Sequence, residues 1–387
     1  MTKSPANYPD PIWTDESNDF AHDTMIRRVP ETIRNIQARN PDLHDSMHKA
    51  LEQLSHDISN DAPINMIDIH APDYESWQPA FEARKGETWL NTQWFFAETY
   101  FYRQVMACVK WWATQVDPFT SYKNEEYSSA AHWALLDSAL DLEGERDALL
   151  ASAIQGALWG NRIDLSFEDS LKRGTTAKNE DLLVDDTYKA VACLTKSDSG
   201  AVHIITDNAG SELTMDLVLV DRIVQLTDLQ VTIHVKMHPT FVSDAITDDI
   251  WLFIKLLKAR GAIYVPFAER LEQAILSGRV RLVPHFFWNS GSFMWDMPKH
   301  LYDGFNGSQL VMIKGDANYR RIVGDAMWEA DTPFSDVVSY FPAPFMALRT
   351  LKSDPIVGLP SGMATRLDGE DARWRLNGQR GVIQLKA

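Results

Sequence analysis

The sequence predicts an α/β chain: a three-layer α/β/α, Rossmann-like domain with a mostly parallel sheet, preceded by a helical N-terminal subdomain. Three observations predict it. Apolar residues recur at helical spacing through the first half, with no persuasive strand alternation before residue 190. From about residue 200, short apolar runs alternate with helix-length segments, the pattern of strands joined by crossovers. No internal repeat or low-complexity tract interrupts either half.

In the first half, "PETIRNIQARN", "DLHDSMHKALEQLSHDI" and "TQWFFAETYFYRQVMACVKWWATQV" read as helices, with few Gly or Pro inside them. A more polar connecting stretch from about 115 to 150 carries a further helix, "AAHWALLDSALD". The strand candidates are "AVHIIT", "VTIHVKM", "RVRLVP", "QLVMI", "FMAL" and "GVIQL". The change of pattern falls near residues 170 to 200. We therefore expect a helical subdomain over 1–180 and a Rossmann-like catalytic domain over 181–387.

Composition narrows the function. The chain has 387 residues, is 45% hydrophobic and carries a formal charge of −17, so it folds but repels a nucleic-acid polyanion. No stretch reaches the length of a membrane span and the N-terminus has no signal-peptide core, so a cytoplasmic protein is expected. Cys108 and Cys193 sit in apolar settings and read as buried thiols.

In doubly wound sheets, ligands bind beyond the carboxyl ends of the strands, where helix N-termini converge. Polar residues follow five consecutive strand candidates. Thr206, Asp207 and Asn208 follow the first; Ser243 and Asp244 the second; Asn289 the third; Lys314, Gly315, Asp316 and Asn318 the fourth; Arg349 and Lys352 the fifth. Any one alone reads as a helix cap. As a set they point to a site, because Asp207, Asn208 and Asp244 offer only oxygens, which suits a hard divalent ion such as Mg²⁺ or Mn²⁺. Lys352, Arg349 and Lys314 are then the cations available to a phosphate.

Competing motifs are few. The chain has no P-loop, no H-E-x-x-H and no C-x-x-C. His234 and His238 have metal spacing only on a helix, whereas their segment reads as a strand. The cluster "HFFWNSGSFMWDMP" reads as core or lid, with Trp288 and Trp295 as alternative walls for a sugar.

Several long segments together, "TDNAGSELTMDLVLVD", "FVSDA", "LVMIKGDANYRRIVGD", "LRTLKSD" and the terminal "GVIQL", resemble the damage-control metal-dependent phosphatases. The branch is the one marked by Arg-Thr-x-Lys, here Arg349-Thr350-Leu351-Lys352. "WLNTQWFFAETYFYRQV" and "LWGNRIDLS" look like the same branch, and the match spans roughly residues 80 to 387. The resemblance implies a divalent ion, commonly Mn²⁺, Co²⁺ or Ni²⁺, and hydrolysis of sugar phosphates such as fructose 1-phosphate or related reactive phosphometabolites. It implies Asp207, Asn208 and Asp244 as metal ligands, Gly315, Asp316, Asn318 and Tyr319 along the substrate site, and Lys352 on the phosphate. It also implies Glu98, Arg103, Asn161 and Asp164 at the pocket wall.

The expected reaction is metal-assisted phosphomonoester hydrolysis of a small-molecule phosphorylated substrate, with no nucleic-acid or membrane partner. A water activated by the ion, with Asp244 or Asp316 as ligand or base, is the simpler nucleophile; direct attack by an aspartate is the alternative. Two other classes stand beside it. One is an S-adenosylmethionine-dependent carboxyl methyltransferase, which the fold permits although "TDNAGSE" lacks a glycine-rich first turn with an acidic ribose ligand. The other is a non-catalytic sugar-phosphate sensor, which would keep Lys352 but lose a metal ligand.

Overall fold

A computed structural model describes residues 4–160, 180–197 and 199–387. In the helical half, Val29–Arg39 opens with Pro30 in its first turn and buries Val29, Ile33 and Ile36 along one face. Asp45–Ser59 starts at His44, whose ring accepts from the Ser46 amide, and buries Leu51, Leu54 and Ile58. Trp94–Cys108 is buried on almost every side. The sequence pattern runs on to Val116, but the helix stops at Cys108, because Lys110 and Gln115 adopt left-handed backbone conformations that leave only the short turn Trp111–Thr114.

Seven strands form one sheet: β1 Leu182–Asp185, β2 Ala201–Ile205, β3 Gln230–Lys236, β4 Val280–His285, β5 Leu310–Lys314, β6 Phe345–Thr350 and β7 Gly381–Lys386. Their order is β1-β7-β6-β5-β2-β3-β4. Strands β2 to β6 are mutually parallel, β7 runs antiparallel to β6, and β1 pairs parallel with β7. All six expected strands are present. The expectation of no strand before residue 190 is corrected by β1: four residues are too few to display alternation, and this strand is defined by its pairing with β7.

β5 and β6 are buried at every position, as strands covered on both faces must be. On one face lie Ser211–Leu226, Thr247–Arg260 and Val265–Leu276, sharing a core with Ala130–Leu140 and Arg146–Trp159. On the other lie the segments 287–305, Asp316–Val323 and 334–341. A separate core holds the first helices around Tyr100 and Phe101. Among the described residues, no helix is long and apolar enough to cross a membrane.

The strand order positions the site. From β2 the chain proceeds outward through β3 and β4, then crosses back to place β5 on the other side of β2. Loops leaving β2 and β5 therefore part in opposite directions and open a crevice between them, the switch point at which such sheets bind ligands.

Helix Ala130–Leu140 meets helix Ser211–Leu226 through a buried polar contact, His132 Nδ1 at 3.0 Å from Ser211 Oγ. Burial pushes His132 down to about 4, with Arg260 adding to the effect. The unfolded chain thus takes up this proton near pH 6.5 and the folded chain only near 4, so the stability is present above pH 6.5 and is lost as pH falls toward 4. At about 1.4 kcal/mol per unit, the loss is on the order of 3 kcal/mol. Urea unfolding at pH 7 and pH 4.5 should show His132→Gln losing less stability on acidification than wild type; equal losses would contradict a neutral buried His132.

Candidate active site

Two loops are stitched together at the crevice. Ala245 N donates to Asp207 O at 2.7 Å, Ala209 N donates to Ser243 O at 2.6 Å, and Asn208 and Asp244 form an antiparallel bridge. The side chains of Asp207 and Asp244, which leave different strands, are thereby brought to one place. The approach to Asp244 passes through Phe241 and Val242, both at positive φ (46° and 68°), an unfavourable conformation for a β-branched residue. Phe241 is packed on Tyr102, with ring centroids 4.9 Å apart.

From the other side of the switch point comes Gly315, at φ +92°. A Cβ built there would overlap the Asp207 carboxylate, so glycine is required both by the backbone and by the close approach of Asp207. Asp316 follows at the start of helix Asp316–Val323. Its Oδ1 accepts from Arg349 Nε at 2.8 Å and from the Lys352 backbone amide at 2.9 Å, tying the β5 and β6 ends together.

The charges are unbalanced. Asp207 and Asp244 are 7% and 1% exposed, and Glu212 joins them from the first turn of helix Ser211–Leu226. Glu212 Oε2 accepts from Asn208 Nδ2 at 2.9 Å, and Asp207 Oδ2 accepts from the same amide at 3.0 Å. Desolvation, followed by repulsion from Asp244 and Glu212, raises the Asp207 carboxyl well above the usual range. Burial raises Asp244 as well, opposed chiefly by Lys236, whose ammonium lies 3.2 Å from Asp244 Oδ2. Among the described residues that oxygen has no hydrogen-bond partner of good geometry, and the ion pair with Lys236 offsets its charge most.

This donor set fits a hard cation: buried oxygens with excess negative charge and an underused carboxylate atom. Among the described residues, however, no group of three or more His, Cys, Asp or Glu has metal-holding geometry. The expected third ligand is an amide. Asn208 Oδ1 accepts from Ser243 Oγ at 2.6 Å, and reversing the amide would turn oxygen toward Asp207 and Glu212.

The structure brings Asp207, Asn208, Asp244, Gly315, Asp316, Asn318, Arg349 and Lys352 together around this crevice, and it assigns their cations different tasks. Lys314 is buried and paired with Asp216 at 2.6 Å. Arg349 is fully buried; besides Asp316 it donates to Ser353 O at 2.7 Å and to Pro355 O, and it stacks on Tyr319. Lys352 alone of the three is exposed, and its ammonium has no hydrogen bond or ion pair among the described residues. Partial desolvation by the crevice walls opposes its charge, but Glu212, Asp207 and Asp316 outweigh this and raise its pKa.

Several of the expected residues, Asn318 among them, make supporting bonds within the fold. Asn318 donates to Thr206 O at 3.0 Å and to Lys314 O at 2.8 Å, joining the β2 and β5 ends. The Tyr319 hydroxyl turns away, donating to Gln384 Oε1 at 2.9 Å. Glu98 accepts from Arg320 at 2.6 Å, on the helix that begins with Asp316. Arg103 is buried against Asp73. Asn289 links Met237 N to His238, while His234 bonds His203 at 2.9 Å, so His234 and His238 do not converge. Trp288 and Trp295 are core residues. Asn161 and Asp164 lie outside the described residues. Sequence reasoning missed Glu212 and Lys236. Their signals were present: a glutamate one turn past Asn208, and a lysine ending the otherwise apolar run "VTIHV".

A family model described as the damage-control phosphatase ARMT1-like domain matches residues 21–367. The chain is 29% identical to damage-control phosphatase ARMT1 of Xenopus tropicalis, covering 95% of this chain and 96% of that protein. It is 30% identical to the Danio rerio protein of that name, covering 94% and 91%. A solved structure of a DUF89 family protein from Pyrococcus horikoshii is similar with a TM-score of 0.48 and 14% identity, over 92% of this chain and 96% of that one.

Gly315→Ala tests the close approach. It should leave the fold intact by circular dichroism yet lower any activity of the site at least about tenfold, since a misplacement near 1 Å costs that much or more. Full activity in this variant would contradict the contact with Asp207.

Proposed function

The chain belongs to the damage-control phosphatase ARMT1-like domain family, and from that premise we propose a metal-dependent phosphomonoesterase acting on sugar phosphates such as fructose 1-phosphate or related reactive phosphometabolites. The observation that supports the reading most is a carboxylate cluster only partly offset by Lys236, facing across the switch point the Lys352 ammonium, which has no hydrogen bond or ion pair among the described residues. Asp207 and Asp244 would hold a Mn²⁺, Co²⁺, Ni²⁺ or Mg²⁺ ion, with Asn208 as the further oxygen donor. A divalent ion there supplies Lewis-acid polarisation of a phosphoryl oxygen.

The protein residues divide the remaining work. Lys352 holds the phosphate as a point charge, free to do so because Arg349 and Lys314 are committed elsewhere. Asp316 stays ionised: burial would raise its carboxyl, but Arg349 and hydrogen bonds from Ser353 and the Lys352 amide hold it below the usual range. A carboxylate so held is a poor proton acceptor, so its role is to orient the Arg349–Lys352 segment against the substrate. Water is the nucleophile in this reading, since Asp316 is anchored and Asp207 and Asp244 are assigned to the ion.

The test is a sugar-phosphate panel assayed with each of the four ions. Hydrolysis of at least one ester is expected, and its abolition by excess chelator; turnover persisting in chelator would remove the metal from the account. Lys352→Ala should raise KM by roughly 10- to 100-fold, the scale of a charge-assisted contact of about 1.5–3 kcal/mol. An unchanged KM would show that phosphate binds elsewhere.

A further inference from the structure

One helix of the N-terminal half, Thr120–Ser128, grips both loops of the site. Glu126 reaches the turn after Asp207-Asn208, where its Oε2 accepts from Ser211 N at 2.7 Å. Its neighbour Tyr127 accepts from Gly210 N at 3.2 Å through its hydroxyl. Gly210 sits at φ +71°, and a Cβ there would overlap the Glu126 carboxylate, so the turn is shaped around this side chain. One helical turn earlier, Lys123 is buried and donates to Asp249 Oδ2 at 2.8 Å. That same oxygen accepts from Ile246 N at 2.9 Å, two residues beyond Asp244. Asp117 completes the neutralisation of Lys123 at 3.0 Å.

We propose that Glu126 is a positioning residue of the phosphoryl site: by bonding the Ser211 amide it fixes the turn that aims Asp207 and Asn208, and helix Thr120–Ser128 holds that turn in register with the Asp244 loop. The inference rests on the phosphatase reading for its activity consequence. Its structural basis is separate. The first amides of a helix have no intrahelical acceptor, and here the acceptor comes from a segment 85 residues away in sequence rather than from the local N-cap, Gly210, which has no side chain. Loss of the acceptor frees a glycine turn directly beside the carboxylates. Groups that orient metal ligands from behind typically alter affinity or activity by about 10- to 100-fold when removed.

Two substitutions separate reach from charge. Glu126→Gln keeps an acceptor oxygen at the same distance without the charge, whereas Glu126→Asp keeps the charge and is one methylene too short. With both proteins folded by thermal melt, Glu126→Asp should bind Mn²⁺ at least tenfold more weakly by direct titration. It should also lose at least tenfold in kcat with KM within threefold. Glu126→Gln should stay within threefold of wild type in all three. Hydrogen exchange on the ion-free proteins supplies a readout independent of ion and substrate: amides over 207–212 should exchange faster in Glu126→Asp alone, with β6 unchanged. Unaltered exchange in both variants, or equal damage in both, overturns the proposal. Failure of the wild type to hydrolyse any phosphate ester would instead sink the phosphatase reading and leave the exchange comparison to decide the role of Glu126.

Discussion

Crowding of buried carboxylates at the switch point is the constraint on which the rest of the site depends. Asp207, Glu212 and Asp244 share a small volume whose polar neighbours do not neutralise them, and burial raises the first and third toward their protonated forms. Such a cluster is costly unless a cation joins it. The surrounding architecture keeps the cluster in place: a backbone bridge between two loops, a glycine where any side chain would collide with Asp207, and two residues in left-handed conformations ahead of Ser243-Asp244. Strain and uncompensated charge of this kind persist where the scaffold overdetermines them, and they concentrate at functional sites.

The cations show how residue type and role separate. Lys314, Arg349 and Lys352 all lie at strand ends, but only Lys352 has an unengaged charge among the described residues. Lys314 neutralises Asp216 beneath the crevice. Arg349 spends its donors on Asp316, Ser353 and Pro355, making it the fastener between β6 and the helix that starts at Asp316. Lys236, buried beside Asp244, balances part of the negative charge from within the sheet.

Much of this was legible in the sequence. Parallel strands covered on both faces must be apolar runs, and the polar residues that end them mark the carboxyl edge, so Asp207, Asp244, Asp316 and Lys352 could be picked out by position. What periodicity cannot supply is partnership. β1 is too short to announce itself and exists through β7. Nothing in "LVMIK" says that its lysine meets an aspartate on the helix after β2, or in "RTLK" that the arginine is consumed internally. The role of Glu126 depends on a contact across 85 residues of chain, and the left-handed Lys110 that ends the Trp94–Cys108 helix lies in a segment whose residues are adequate helix formers. The helices 130–140 and 146–159 likewise share the sheet's core, although their sequence carries no mark of which core they join.

Calorimetric titration of the ion-free protein with Mn²⁺ at neutral pH, in two buffers of different ionisation enthalpy, decides whether the carboxylate cluster receives a hard cation. The expected result is one site per chain, with proton release that makes the apparent heat depend on the buffer, and loss of that site in Asp207→Asn. Absence of binding, or binding of equal strength in Asp207→Asn, would contradict it.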